Sequence, residues 1–111
     1  MTSTSSAVLR VLVLSMVAAG CSFAVDVVPT PTAPKLQPSA SAEIVRTRPR
    51  GHPVELGTIN LQGNNYMDAS DCDARLIIEA RKLGGNVVFA QPEESGIGQG
   101  PRCRGVAYFV K

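Results

Sequence analysis

The N-terminal segment decides how much of this chain is available to fold. Arg10 is followed by a mostly apolar run over residues 11–19, no acidic side chain precedes it, and Cys21 stands just beyond it. A basic start, a short apolar stretch and small residues at its end are typical of a secretory signal peptide. The sequence therefore predicts that residues 1–20 are removed and that the folded part begins after them.

Cys21 directly follows Ala18, Ala19 and Gly20. This arrangement resembles the lipobox of bacterial lipoprotein precursors, with Ala18 at a position where Leu is more usual. The resemblance implies that Cys21 carries diacylglycerol, that the chain is cut before it and that the new amine is acylated. Several acyl chains on one residue give stable attachment to a membrane.

Two alternatives to lipidation remain open. A membrane-spanning helix needs about 20 apolar residues, whereas Asp26 interrupts the run that starts at Val11. An ordinary secretory signal would leave Cys21 as an odd thiol, which is unusual in an oxidising compartment.

Residues 21–53 are rich in proline, threonine, serine and alanine and show no apolar period. Such a segment buries too little surface to offset the entropy of ordering it. We therefore expect a lipidated cysteine followed by a disordered linker. At about 3.1 Å per residue, roughly 30 residues reach at most about 100 Å, so the linker is expected to hold the domain clear of the membrane.

The linker ends in a short basic cluster at Arg46, Arg48 and Arg50. Basic residues near an anionic surface attract it, but a solvated run of charges is the simpler interpretation. The formal net charge of the chain is only +2, which is too small to indicate a nucleic-acid partner.

Residues 54–111 are predicted to form one small α+β domain. Residues 54–61 read as a strand whose apolar alternation slips at Gly57, which indicates a β-bulge. Residues 86–90 and 104–110 are rich in β-branched and aromatic side chains and give two further strands.

A helix is predicted between the first two of these strands, with Ser70 as its cap and Leu83 as its last residue. One apolar stripe is expected to face the core and to consist of Leu76, Ile77, Ala80 and Leu83. Arg75, Glu79 and Lys82 are expected on the opposite side, and Gly84-Gly85 ends the helix. The order β-α-β-β predicts one helix packed on a small, mostly antiparallel sheet.

With Cys21 assigned to lipid, Cys72 and Cys103 remain. A domain of this size has a marginal core and often carries a covalent link. A bond closing about 32 residues contributes about 3.5 to 4 kcal/mol, so we predict a structural disulfide. A reactive thiol at Cys72 is the open alternative. Two cysteines and His52 lack the spacing of metal ligands, so neither a metal nor a cofactor is expected.

No group of side chains predicts catalysis. Residues 96–100 look like part of a phosphate-binding loop, but Pro101 and a strand follow where a helix is needed. Glu93 and Glu94 are adjacent in that loop and read as a solvated pair. No hydroxyl has a recognisable base, so the chain is not expected to be an enzyme.

Two segments carry a resemblance to a known family. Residues 72–89 (CDARLIIEARKLGGNVVF) and residues 103–108 (CRGVAY) resemble the helix-to-strand signature and the last strand of small envelope lipoproteins. That family includes RcsF, an outer-membrane stress-sensor lipoprotein, and uncharacterised lipoproteins with the same C-terminal domain. Cys72 and Cys103 match one of its two disulfides, whereas Phe109 and Glu94 stand where the second would be.

The resemblance implies a membrane-anchored envelope lipoprotein whose domain binds another envelope protein, with RcsF-like stress sensing as the specific role. The implied partners are an outer-membrane barrel protein or an inner-membrane regulatory protein. Ser22, in place of the Asp that retains lipoproteins in the inner membrane, implies the outer membrane, facing the periplasm. A periplasmic module for a small ligand or metal and a purely structural lipoprotein are the alternatives.

Overall fold

The computed structural model describes residues 23–64, 66–92 and 100–111. Within this part of the chain, one helix packs on one sheet of five strands. The elements are β1 (Ala24–Pro29), β2 (Glu43–Val45), β3 (Val54–Gln62), α1 (Ala69–Lys82), β4 (Val87–Ala90) and β5 (Arg102–Phe109). The predicted α+β class, with one helix on a mostly antiparallel sheet, is confirmed.

The strand order in the sheet is β1-β3-β5-β4-β2, and only β2 and β4 pair in parallel. Both β3 and β4 are antiparallel to β5, so they run in the same direction, and α1 connects them. This is a split β-α-β unit, in which the last strand lies between the two strands that the helix joins. The helix therefore covers one face of the sheet.

The bulge predicted at Gly57 is confirmed. Glu55 pairs with Tyr108 and Gly57 pairs with Ala107, so Leu56 is the extra residue on β3. The bulge changes which residues face the helix, because an extra residue shifts the alternation along a strand. As a result Leu56 and Ile59 are both buried although they differ in parity.

The core lies between α1 and the sheet. Its largest fully buried side chains are Ile59, Leu61, Leu76 and Val88. The predicted stripe is confirmed in Leu76 and Ala80, which are buried. Glu79 differs from the expectation, since it is buried as well. Its carboxylate accepts a hydrogen bond from Lys82 Nζ at 2.9 Å and lies 3.3 Å from Arg75 Nε, so the buried charge is paired.

The prediction of Ser70 as the helix cap is wrong by two residues. Asp68 is the cap: its carboxylate accepts hydrogen bonds from the backbone N–H groups of Ser70 and Asp71. The Asp71 carboxylate accepts the Asp68 N–H in return, at 2.9 Å, which completes a capping box. Both Asp68 and Ser70 are preferred cap residues with an acid three positions later, so the sequence did not separate them.

The predicted linker also needs correction, because residues 24–29 and 43–45 are strands. β1 pairs with β3 along one edge of the sheet and β2 pairs with β4 along the other. Val25 and Val27 pack against the core, while Asp26 lies between them on the other face. An edge strand tolerates Pro29 at its end, because proline lacks only a donor that the edge does not use. The sheet therefore starts thirty residues before Val54.

Residues 30–42, here called the crossing segment, join the two edge strands past the C-terminal end of α1. Ser39 carries the contact: its N–H donates to Arg81 O at 3.0 Å and its Oγ donates to Gly85 O at 2.5 Å. Arg81 Nε donates back to Ser39 O at 3.1 Å. The last carbonyl groups of a helix have no partner within it, and the crossing segment supplies one.

Candidate functional site

The two cysteines predicted to pair are joined. The Cys72–Cys103 disulfide links the first turn of α1 to the start of β5, with the two Cα atoms 6.1 Å apart. Both residues are buried in the core. The alternative of a reactive thiol at Cys72 is therefore wrong, and the bond is structural.

Other predicted residues are not brought to a common site. Cys21, the predicted lipidation site, lies outside the described residues, as do Ser22, Glu93, Glu94 and most of the Gly-rich loop. Arg46, expected to be solvated, forms an ion pair with Asp73 at 2.6 Å. His52 is exposed.

His52 lies with Arg50, Phe109 and Lys111 around a groove of about 490 Å³. This far-end groove is at the end of the sheet where Val54 pairs with Phe109. It brings none of the predicted site residues together.

The strongest candidate site is a groove of about 390 Å³ at the opposite end of the sheet. It involves β1, β3 and β5 and the residues that follow β4. Because the Cys103 side chain reaches α1 through the disulfide, Arg102 and Arg104 point to the face that carries no helix. We call this the arginine groove.

Two rows of side chains cross the strands in this groove. Asp26 is opposite Asn60, and Asn60 is opposite Arg104. In the next row, Ala24 is opposite Gln62 and Gln62 is opposite Arg102. Facing residues on adjacent strands bring their side chains close together. The small side chain of Ala24 leaves space at the end of the second row.

Hydrogen bonds from the neighbouring strand orient both guanidinium groups. Arg104 Nε donates to Asn60 Oδ1 at 2.9 Å, and Arg102 Nε donates to Gln62 Oε1 at 3.2 Å. Gln62 Nε2 is held in turn by Gly63 O and Gly100 O, each at 3.1 Å. Among the described residues only Nε of each arginine is engaged, so its terminal N–H groups have no partner in that part of the chain and can serve a ligand.

The electrostatics of the arginine groove favour an anion. Within the described part of the chain, neither Arg102 nor Arg104 forms an ion pair. Asp26, at the other side of the groove, offsets one of the two positive charges. A guanidinium group binds phosphate and carboxylate with two parallel hydrogen bonds, so two of them suit an oxyanion.

Tyr66 lies at the same end of the sheet, outside the lining of the arginine groove. It lies on the loop that leaves β3 after Gln62, and its side chain is 96% exposed. Its backbone N–H donates to Asn64 Oδ1 at 2.9 Å, which fixes the turn that carries it. A fully exposed aromatic ring loses the stabilisation of burial, and tyrosine is enriched where one end of a side chain meets an apolar phase.

The open face of the sheet is mostly apolar at the side away from the arginine groove, where the exposed Glu43 on the edge strand β2 is opposite Val87. The apolar residues there alternate with core residues on β2, β4 and β5, and each is partly exposed; they are Val45, Val87, Phe89 and Val106. We call this set the apolar half. An apolar patch beside polar residues on one surface is typical of a contact site for another molecule.

Sequence reasoning missed the arginine groove. The signal available was parity: Arg102 and Arg104 alternate with Cys103, and Asn60 and Gln62 alternate with Leu61. Their meeting depends on the strand register, which the sequence alone does not give.

Neither a metal site, nor a membrane-spanning helix, nor a similar protein assigns a function to the residues that the structure describes. Among residues 23–64, 66–92 and 100–111, no three His, Cys, Asp or Glu side chains are placed to hold a metal ion. In the same part of the chain no helix is both long and apolar enough to cross a membrane. The chain matches no protein-family model, no curated protein and no solved structure.

Proposed function

We propose that the chain is a lipid-anchored envelope protein, attached through Cys21, whose disulfide-linked α+β domain binds another envelope protein. The observation that carries this proposal is the Cys72–Cys103 disulfide. Disulfides persist in oxidising compartments outside the cytosol, which agrees with export by the signal in residues 1–20. With these two thiols paired, Cys21 is the one cysteine left for another use.

The proposal assigns binding and not catalysis to the domain. The apolar half of the open sheet face supports it, since Phe89 and Val106 are only partly buried there. The partner in this proposal is an outer-membrane barrel protein or an inner-membrane regulatory protein. An RcsF-like stress sensor anchored in the outer membrane is the most specific form of the same proposal.

Metabolic labelling with an alkyne analogue of palmitate tests the anchor. The wild-type protein should incorporate the label, and the C21S variant should not, because the thioether needs the Cys21 sulfur. C72A/C103A is the matched control, since it removes two cysteines and keeps Cys21. Equal labelling of wild type and C21S would contradict the anchor.

Site-specific photo-crosslinking in cells tests the partner. A photoreactive residue at position 89, in the apolar half, should give an adduct with a barrel protein or an inner-membrane regulator. Position 35, on the crossing segment, carries an exposed Lys and is the control. Absence of any adduct at position 89, or the same adducts at both positions, would count against protein binding through this face.

A further inference from the structure

The fold places the proposed anchor next to the arginine groove. β1 begins at Ala24, three residues after Cys21. Three residues span at most about 10 Å, whatever their conformation. The headgroup layer of a bilayer is roughly 5 to 7 Å thick on each side. If Cys21 is acylated, as the proposed function states, Ala24 therefore lies within or just above the headgroups.

The same end of the sheet carries Arg102 and Arg104, which form no ion pair with any residue that the structure describes. Ala24 is opposite Gln62 and Gln62 is opposite Arg102. Adjacent strands are about 4.8 Å apart, so the backbone of Arg102 lies about 10 Å from that of Ala24. The anchor therefore brings the arginine groove to the lipid surface.

We propose that the arginine groove binds the phosphate of an anionic phospholipid headgroup in the membrane that holds the chain. The terminal N–H groups of Arg102 and Arg104 supply the donors, and their amide partners hold them in place. Charge-assisted bonds from guanidinium to phosphate are among the stronger hydrogen bonds in proteins. The domain then docks on the membrane in one orientation.

The rest of the groove suits the part of the headgroup beyond the phosphate. The Asp26 carboxylate accepts donors, and the Asn60 amide donates through Nδ2 while its Oδ1 is bound by Arg104. A headgroup hydroxyl, as in phosphatidylglycerol, offers both a donor and an acceptor. The Asp26 carboxylate repels an anion that offers it no donor, so a headgroup whose hydroxyl can donate to it fits the groove better than an anion without one.

Tyr66 supports the lipid surface as the occupant. An acidic segment of another protein would also satisfy the two arginines, but it would not account for a 96% exposed ring at the anchored end. Tyrosine rings settle at the boundary between headgroups and acyl chains. The far-end groove also carries basic residues, Arg50 and Lys111, at the other end of β3. A strand of nine residues separates the two ends by about 27 Å, so a domain docked through the arginine groove does not need these residues at the surface.

Tryptophan fluorescence tests this inference directly, because the chain contains no Trp. The Y66W variant of the full chain, matured in cells and purified, carries a single reporter at an exposed position. It is reconstituted on vesicles of phosphatidylcholine alone or with phosphatidylglycerol, with brominated lipid as the quencher. We expect a blue shift and at least about twofold quenching only where phosphatidylglycerol is present.

Each basic residue near an anionic surface raises the equilibrium constant for docking about fivefold. R102Q/R104Q in the Y66W background should therefore lower that constant roughly 30-fold. R50Q/K111Q is the matched control, because it also removes two positive charges, but from the far-end groove. Circular dichroism checks that both variants fold. The control should keep the quenching of the parent.

The outcomes separate this inference from the proposed function. In one outcome, Y66W incorporates the palmitate label while its quenching is the same with and without phosphatidylglycerol and unchanged by R102Q/R104Q. That result would overturn docking through the arginine groove and leave the proposed anchor unaffected. Loss of a protein crosslink in R102Q/R104Q, with unchanged quenching, would assign the groove to an acidic protein segment and overturn it too. Absence of the label would overturn both.

Discussion

Residues 54–111 and residues 23–53 contribute to the same sheet by different means. The later part contains α1, the three central strands and the disulfide, and it supplies the four largest fully buried side chains, which are Ile59, Leu61, Leu76 and Val88. The earlier part supplies two edge strands and the crossing segment. It is held by backbone pairing, by half-buried residues such as Val25 and Val27 and by hydrogen bonds at the end of α1.

The difference shows that a segment poor in apolar residues is ordered when a finished core offers it unpaired backbone groups. Buried or half-buried N–H and C=O groups need partners, and the outer edges of β3 and β4 present a row of them. The consequence is functional as well. A disordered linker would separate Cys21 from the domain, whereas an edge strand starting at Ala24 brings the two together.

The largest effect is expected from the bond inside the later part. C72A/C103A should lower the free energy of unfolding by about 3.5 to 4 kcal/mol, because it frees a loop of 31 residues in the unfolded chain. Urea unfolding followed by circular dichroism measures it. Wild type treated with a reductant is the control and should lose the same amount. A loss below about 1 kcal/mol would mean that residues 54–111 are held mainly by their core and not by the disulfide.

Much of the later part could be predicted because its local signals agree with one another. The parity slip at Gly57 marked the bulge, and the stripe containing Leu76 and Ala80 marked the helix face. The two cysteines that remain once Cys21 is assigned to the proposed lipid anchor marked the disulfide. Consistent signals of this kind are the mark of a segment that specifies its own structure.

The earlier part could not be predicted for physical reasons. β1 has only two inward residues, Val25 and Val27, and Pro29 follows within the same window. β2 has three residues, which is too short to show a period. Edge strands are specified by the partner they join, so their signal lies in the register of β3 and β4 and not in their own sequence.

The candidate site has the same origin. Arg102 and Arg104 on one parity of a strand read as a solvated face until β3 places Asn60 and Gln62 beside them. β1 then adds Asp26 to the same row. A site made of three strands from distant parts of the chain is a property of the sheet, so sequence reasoning alone found none of its members.

A second test acts on the contact between the two parts. Gly84 has a φ of +85° after α1, and a Cβ there would lie 2.5 Å from Leu36 Cβ and 2.8 Å from Gln37 O. Gly84→Ala should cost about 2 to 3 kcal/mol, since it adds left-handed strain and displaces the crossing segment. Thermal unfolding measures the loss.

Gly51→Ala is the matched control for Gly84→Ala. Gly51 also has a φ of +85°, but a Cβ there would meet nothing within 4 Å. It should therefore cost only the backbone strain, about 1 to 2 kcal/mol. Equal losses in the two variants would show that the crossing segment does not pack on the helix end.

A smaller effect is expected at Ser39, within the crossing segment. Ser39→Ala removes the hydroxyl that donates to Gly85 O at 2.5 Å and should cost about 1 kcal/mol. Hydrogen exchange should localise this loss to residues 30–42 and leave the amides of β3 and β5 protected. Ser41→Ala, an exposed serine two positions away, is the control. A uniform rise in exchange across the sheet would show that residues 23–53 and residues 54–111 unfold together and are not stabilised separately.

The smallest effect is expected at the start of α1, which the exposed carboxylate of Asp68 caps. The Ser70 hydroxyl, followed by the Asp71 backbone N–H, donates to Asp68 and lowers the pKa of that carboxyl below its usual value. The stabilisation of the fold by the charged Asp68 carboxylate is therefore fully present above the pKa of the unfolded state, which is about 4. It is lost as the pH falls through the lower pKa of the folded state.

Asp68→Asn keeps a good cap but does not titrate, so its melting temperature should lie below that of wild type at pH near 7 and converge with it in acid. Ser70→Ala removes the hydroxyl that donates to the Asp68 carboxylate. The fall in melting temperature between neutral and acid pH should therefore be smaller in Ser70→Ala than in wild type. Thermal melts between roughly pH 2 and 7 measure both variants. A difference between wild type and Asp68→Asn that stays constant over this range would mean that the carboxylate charge contributes nothing to the capping box.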